Sequence, residues 1–137
     1  MDGIRGFKHG EKTILIVDED PINLAKMSQL LNAQYNVLVA KTGAEGVTRS
    51  KDYQEEIHLL LTAFSMPQMS GMELASKINR QRPDVKVLLM SSFPDGMLVL
   101  NEGWHFLPTP FIESQLRTLV TSLIAPTSRF SRVAAPA

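Results

Sequence analysis

The sequence predicts an α/β domain, a doubly wound parallel sheet of five strands with helices on both faces. Strand-like apolar runs and helix-like segments alternate five times along the chain. The first of these runs is apolar without alternation, as a strand buried on both faces is. The chain has 137 residues, 44% hydrophobic and 20% charged, which suits one globular unit rather than two.

Thr13 to Val17 is β-branched and apolar, and the acidic turn Asp18-Glu19-Asp20 follows at once. Asp20 then Pro21 reads as a helix start, with Asp as the cap and Pro in the first turn. Leu24, Met27, Leu30 and Leu31 recur at helical spacing, so a helix is expected to about Ala33. Asn36 to Ala40 is a second strand. Gly43 to about Asp52 is a weaker helix with Ala44 and Val47 expected inward. Ile57 to Thr62 is a third apolar run, and a loop from Ala63 to Gly71 leads to a helix over Met72 to Arg80 burying Leu74, Ala75 and Ile78. Val85 to Met90 is the fourth strand, ending at Ser91-Ser92. Pro94 and Gly96 leave room for two helical turns at most before the short last strand, Trp104 to Leu107. The final helix aligns Ile112, Leu116, Leu119, Val120, Leu123 and Ile124 on one face. Residues 1–11 and 125–137 are expected to be flexible, leaving a domain over 12–124.

Composition removes several classes of function. Lys plus Arg and Asp plus Glu are each 14, so net charge suggests neither nucleic acid nor an anionic membrane as partner. No cysteine is present, which excludes disulfide and thiolate chemistry and fits a reducing compartment. No apolar run reaches the roughly 18 to 20 residues of a membrane span, and the expectation is a cytoplasmic protein. The three histidines are too scattered for a metal set or a triad, and the glycines fit no phosphate loop. Ligands in such folds sit where the strands end, which draws Asp18, Glu19, Ala63, Ser91 and Thr109 to one rim.

Four strings in order carry a resemblance. They are Ile14-Leu15-Ile16-Val17-Asp18-Glu19-Asp20-Pro21, Met66-Pro67-Gln68-Met69-Ser70-Gly71-Met72-Glu73-Leu74, Leu88-Leu89-Met90-Ser91-Ser92-Phe93 and Phe106-Leu107-Pro108-Thr109-Pro110-Phe111. Over residues 12 to 124 the chain resembles the receiver domain of bacterial response regulators, the phosphoacceptors of two-component signalling. The resemblance implies a flavodoxin-like sheet of strand order 2-1-3-4-5. It also implies Mg²⁺ near Asp18 and Glu19, with the backbone carbonyl of Ser65 as a further ligand. Ser91 and Phe106 match the family's switching hydroxyl and aromatic.

Two positions depart from the family. The residue that becomes aspartyl phosphate falls on Ala63, whose methyl has no lone pair to attack phosphorus and no oxygen for a metal. The lysine that would pair with the phosphoryl oxygens falls on Thr109, which brings no charge. Three carboxylates and one lysine sum to −2 in the family; two carboxylates and no lysine also sum to −2 here. No cofactor is therefore required, and any Mg²⁺ is expected to bind weakly.

A third departure lies between Ser91 and Thr109, where 17 residues imply a shortened fourth helix. In relatives that helix joins the surface used by partners or by a second copy. The expected function is a phosphorylation-independent interaction module rather than an enzyme. Its partner would be a sensor histidine kinase or a downstream regulator, with a homodimer also open. It is expected as a free-standing regulator or as a piece of a hybrid sensor kinase. An alternative keeps it as an ordinary phosphoacceptor into which Ala63 was introduced. An enzyme on a flavodoxin-like scaffold lacks both a nucleophile with a base and a glycine-rich loop.

Overall fold

The aliphatic run Thr13–Val17 forms β1, buried at all five residues. The remaining strands are β2 Asn36–Ala40, β3 Leu59–Ala63, β4 Lys86–Ser91 and β5 Trp104–Pro108. Between and after them come helices α1 Pro21–Leu31, α2 Gly43–Asp52, α3 Gly71–Gln81 and α4 Glu113–Ile124. This computed structural model describes residues 12–92 and 103–124. The flexible ends expected over 1–11 and 125–137 and the shortened helix between β4 and β5 lie outside the described residues.

The sheet has five strands in the order β2-β1-β3-β4-β5, and every pairing is parallel. Because side chains alternate across a strand, the register divides the core in two. Ile14, Ile16, Leu59, Leu61, Leu88 and Met90 point to one face, where Met27 of α1 and Leu116 and Val120 of α4 cover them. Leu15, Val17, Leu60, Val87 and Leu89 point to the other, under Leu74, Ala75 and Ile78 of α3. Each such side chain contributes about 1.5–3 kcal/mol by leaving water. The doubly wound expectation is met.

Some expected details differ. Ala44 is exposed, and α2 turns Gly43, Gly46 and Ser50 inward. The reason is close approach: a Cβ on Gly46 would lie 3.1 Å from Val17 Cγ2. Ile112 is 64% exposed and precedes α4 rather than sharing its inward face. Strand β3 starts two residues later than the apolar run, because Ile57 is buried outside the ladder.

Side chains tie the layers together. The Arg82 guanidinium, beyond α3, donates to the carbonyls of Ser50, Tyr53 and Glu55 at 2.7–2.8 Å and to Ser50 Oγ at 3.0 Å. It thus caps the carboxyl end of α2, where a cation is favoured. Trp104 Nε1 of β5 donates to Asn79 Oδ1 of α3 at 2.6 Å.

Candidate functional site at the strand ends

In a doubly wound sheet, consecutive crossovers that go opposite ways leave a crevice at the carboxyl ends of the strands between them. Here the chain passes from β1 outward to β2 and then back across to β3, so the crevice falls between β1 and β3. Asp18 directly follows β1, and Ala63 is the last residue of β3. A cleft opens there, lined by Asp18, Glu19, Ala63, Ser65 and Thr109. Ser91 ends β4 beside it, its carbonyl accepting the Thr109 N–H at 2.8 Å. Phe106 is not part of this cleft; it is half-buried in β5 and lines a shallow groove along α4.

Asp18 is held by backbone on both sides. Its N–H donates to the Ala40 carbonyl at 3.2 Å, and its Oδ1 accepts the Asp20 N–H at 2.9 Å. Asp20 in turn caps α1 by accepting the Ile22 N–H at 3.0 Å. Asp18 is only 6% exposed, and burial pushes its carboxyl pKa above the ordinary value. The Asp20 N–H bond opposes that rise, the Asp20 and Glu19 charges add to it, and a bond from the Asn23 side chain opposes it again. Glu19 is exposed.

The loop after β3 is drawn tightly under the cleft. Phe64 N–H donates to the Met90 carbonyl and Gly71 N–H donates to the Phe64 carbonyl, both at 2.7 Å. A Cβ on Gly71 would run into the Ala63 carbonyl and come within 3.0 Å of Phe64 Cα. Only a glycine admits this approach, and the fold at residue 63 depends on it.

Lys26 of α1 also lines the cleft, as does Asn23 one turn before it. Neither was among the residues singled out from sequence. Their spacing of three, counted from the Asp20 cap, is the signal that puts both on one helix face. Glu113 and Arg117 of α4, paired at 2.7 Å, stand on the same cleft. The −2 sum therefore covers the strand ends alone, and Lys26 brings a positive charge to the wall. Among the described residues, no group of three or more His, Asp or Glu side chains is arranged to hold a metal.

Fold and rim together define the class: a flavodoxin-like domain with an acidic cleft at its switch point. The pattern of the response regulator receiver domain matches residues 14–121, and the chain belongs to that family. Such domains are signalling modules of two-component systems; they engage sensor kinases and downstream effectors and typically bind Mg²⁺ at an acidic site. The sensor kinase CckA of Brucella abortus (strain 2308) is 28% identical over 120 residues, covering 84% of this chain and 13% of that protein. The transcriptional regulatory protein GlrR of Escherichia coli (strain K12) is 30% identical over 107 residues, 74% of this chain and 24% of that protein. The chain thus spans a quarter or less of the length of these relatives. The crystal structure of the receiver domain from the hybrid histidine kinase CckA matches with a TM-score of 0.73 at 26% identity, covering 82% of this chain and 98% of that one. A response regulator receiver domain from Clostridium thermocellum matches in fold, with a TM-score of 0.76 at 23% identity over 87% of this chain and 98% of that one. No helix among the described residues is long and apolar enough to cross a membrane.

Proposed function

We propose that this receiver domain signals through protein contacts that do not depend on an aspartyl phosphate. The observation that carries the reading is the methyl side chain of Ala63, which ends β3 where the family resemblance puts the acceptor carboxylate. Phosphoryl transfer needs an attacking atom and charge stabilisation around the moving group. Ala63 removes the first, and Thr109 removes one source of the second. The domain is an interaction module rather than an enzyme. Its partner is a sensor histidine kinase or a downstream regulator, with self-association as a further mode, and it works in the cytoplasm.

Divalent cation binding persists in weakened form. The donor set suits a cation held largely by water, because Asp18 and Glu19 supply carboxylates while Ala63 supplies nothing. One Asp18 oxygen is already engaged by the Asp20 N–H. The carbonyl of Ser65 is the third donor. When bound, the cation would screen the two carboxylates from each other. Titration with Mg²⁺ followed by NMR should shift the amides of Asp18 and Glu19 at millimolar concentrations; no site-specific shift would remove this part of the reading.

The alternative, an ordinary phosphoacceptor with an introduced alanine, is separated by the Ala63→Asp variant. Treated with acetyl phosphate and weighed intact, it should gain no stable phosphoryl group, since Thr109 brings no cation to the oxygens. Stable modification despite Thr109 would favour the alternative.

A further inference from the structure

The end of the sheet remote from the cleft carries a polar cluster that the signalling rim does not use. Thr13, the first residue of β1, is only 3% exposed, and His58 holds both of its backbone groups. The His58 N–H donates to the Thr13 carbonyl at 2.8 Å, and the Thr13 N–H donates to His58 Nδ1 at 3.0 Å. The imidazole stands where a neighbouring strand would offer a carbonyl. The His58 carbonyl accepts the Lys86 N–H at 3.1 Å, so this one residue joins the starts of β1 and β4. We propose that His58 is an acid-opened clasp on the start of the first strand.

The chemistry follows from which ring nitrogen is free. An Nδ1 that accepts a hydrogen bond carries no proton, so the neutral ring is protonated at Nε2, which lies 3.4 Å from Glu56 Oε1. A second proton would go to Nδ1 and set one donor against another. The Thr13 N–H, on a residue only 3% exposed, would then be left without its acceptor, a costly arrangement.

The charged and titratable groups around the ring come from several elements. Glu56 attracts an imidazolium and Lys12 repels it. Tyr53, at the end of α2, reaches Thr13 Oγ1 with its hydroxyl at 3.3 Å. Arg82 binds the Glu55 carbonyl nearby at 2.8 Å. Lys86 meets His58 through its backbone. Burial of the ring, aided by Lys12, outweighs the pull of Glu56 and of a backbone bond at Thr13, and lowers the pKa from its ordinary value. Because the Thr13 N–H donates to Nδ1, that bond in this geometry holds the neutral ring. A lowered folded-state pKa means the opened form binds the proton better. The clasp is therefore whole above the unperturbed histidine value and loosens as pH falls through it.

Hydrogen exchange of the Thr13 amide in the whole chain tests this, corrected for intrinsic rates, from about pH 7.5 to about pH 5.5. Opening should increase by up to about tenfold per pH unit, as linkage to a single proton requires. His105→Gln should behave like the unaltered chain, since His105 makes no bond to Thr13. His58→Asn, whose carbonyl accepts at every pH, should flatten the profile. If that variant fails to fold, the ring ¹⁵N shifts of the unaltered chain serve instead: the Nε2–H tautomer should titrate together with Thr13 exchange. Thr13 protection that stays constant while His58 titrates, or an Nδ1–H tautomer at neutral pH, would overturn the proposal.

Discussion

Gly71 and Gly43 both begin helices, yet an added methyl group meets different neighbours at each. At Gly71 it meets the Ala63 carbonyl and Phe64 Cα, backbone that cannot yield without moving the strand end. Gly71→Ala should therefore lower unfolding free energy by about 2 kcal/mol, within the range for overpacking. At Gly43 the added methyl meets only the Met69 side chain, its sulfur first and its Cβ at 3.0 Å, in a loop rather than at a strand end. Gly43→Ala should therefore cost less, about 1 kcal/mol. Urea unfolding of both variants checks the pair, and equal losses would contradict the contrast. Asp18 yields a pH prediction at the same scale. Its raised pKa means the fold favours the neutral acid, so stability rises as pH falls through the folded value and levels off below 3.8. Asp18→Asn keeps an acceptor for the Asp20 N–H and removes the buried charge. It should be more stable than the unaltered chain at pH 7, converge with it in acid, and lose any response to Mg²⁺. A lower urea midpoint at pH 7 would mean that burial is not what governs this carboxyl.

The elements were legible where hydrophobic period and caps agreed. Pro21 after Asp20 marked α1, and the inward faces of α1 and α3 followed from spacings of three and four. Helix α2 was read only in part: Val47 packs on the core as expected, but Ala44 is exposed, and the buried positions Gly43, Gly46 and Ser50 carry no hydrophobic signal. Its start was legible by another route: Thr42 accepts the Glu45 N–H at 3.0 Å, and Ser70 does the same for the Glu73 N–H at 3.1 Å. Both follow the Ser/Thr-x-x-Glu pattern of a capped helix. Arg82 could not be recognised from sequence, because its acceptors are backbone carbonyls up to 32 positions away. Arg82→Ala would strand the last carbonyls of α2 and should cost about 2 kcal/mol, as charged hydrogen bonds do. Protection of the α2 amides should fall before that of β1 and β3; uniform loss across the sheet would argue against a local cap.

Across the whole molecule, alternation of strand and helix with four ordered strings was enough to indicate the topology, because a parallel sheet needs crossovers and each strand must be buried on both faces. The rim followed from the rule that ligands gather where strands end. Five of the seven residues singled out from sequence line one cleft, Ser91 adjoins it and Phe106 stands apart. What stayed illegible was the wall that α4 brings, since Glu113 and Arg117 join the strand ends only through tertiary packing, whereas Asn23 and Lys26 were within reach of the spacing from Asp20 but went unread. The proposed function rests on Asp18 and Glu19 at the rim, with Ala63 and Thr109 standing where the family resemblance puts the attacking carboxylate and the lysine. Intact mass spectrometry of the unaltered chain after incubation with acetyl phosphate and Mg²⁺ addresses that directly. The mass should be unchanged, and a gain of one acid-labile phosphoryl group mapped to the cleft would contradict the account.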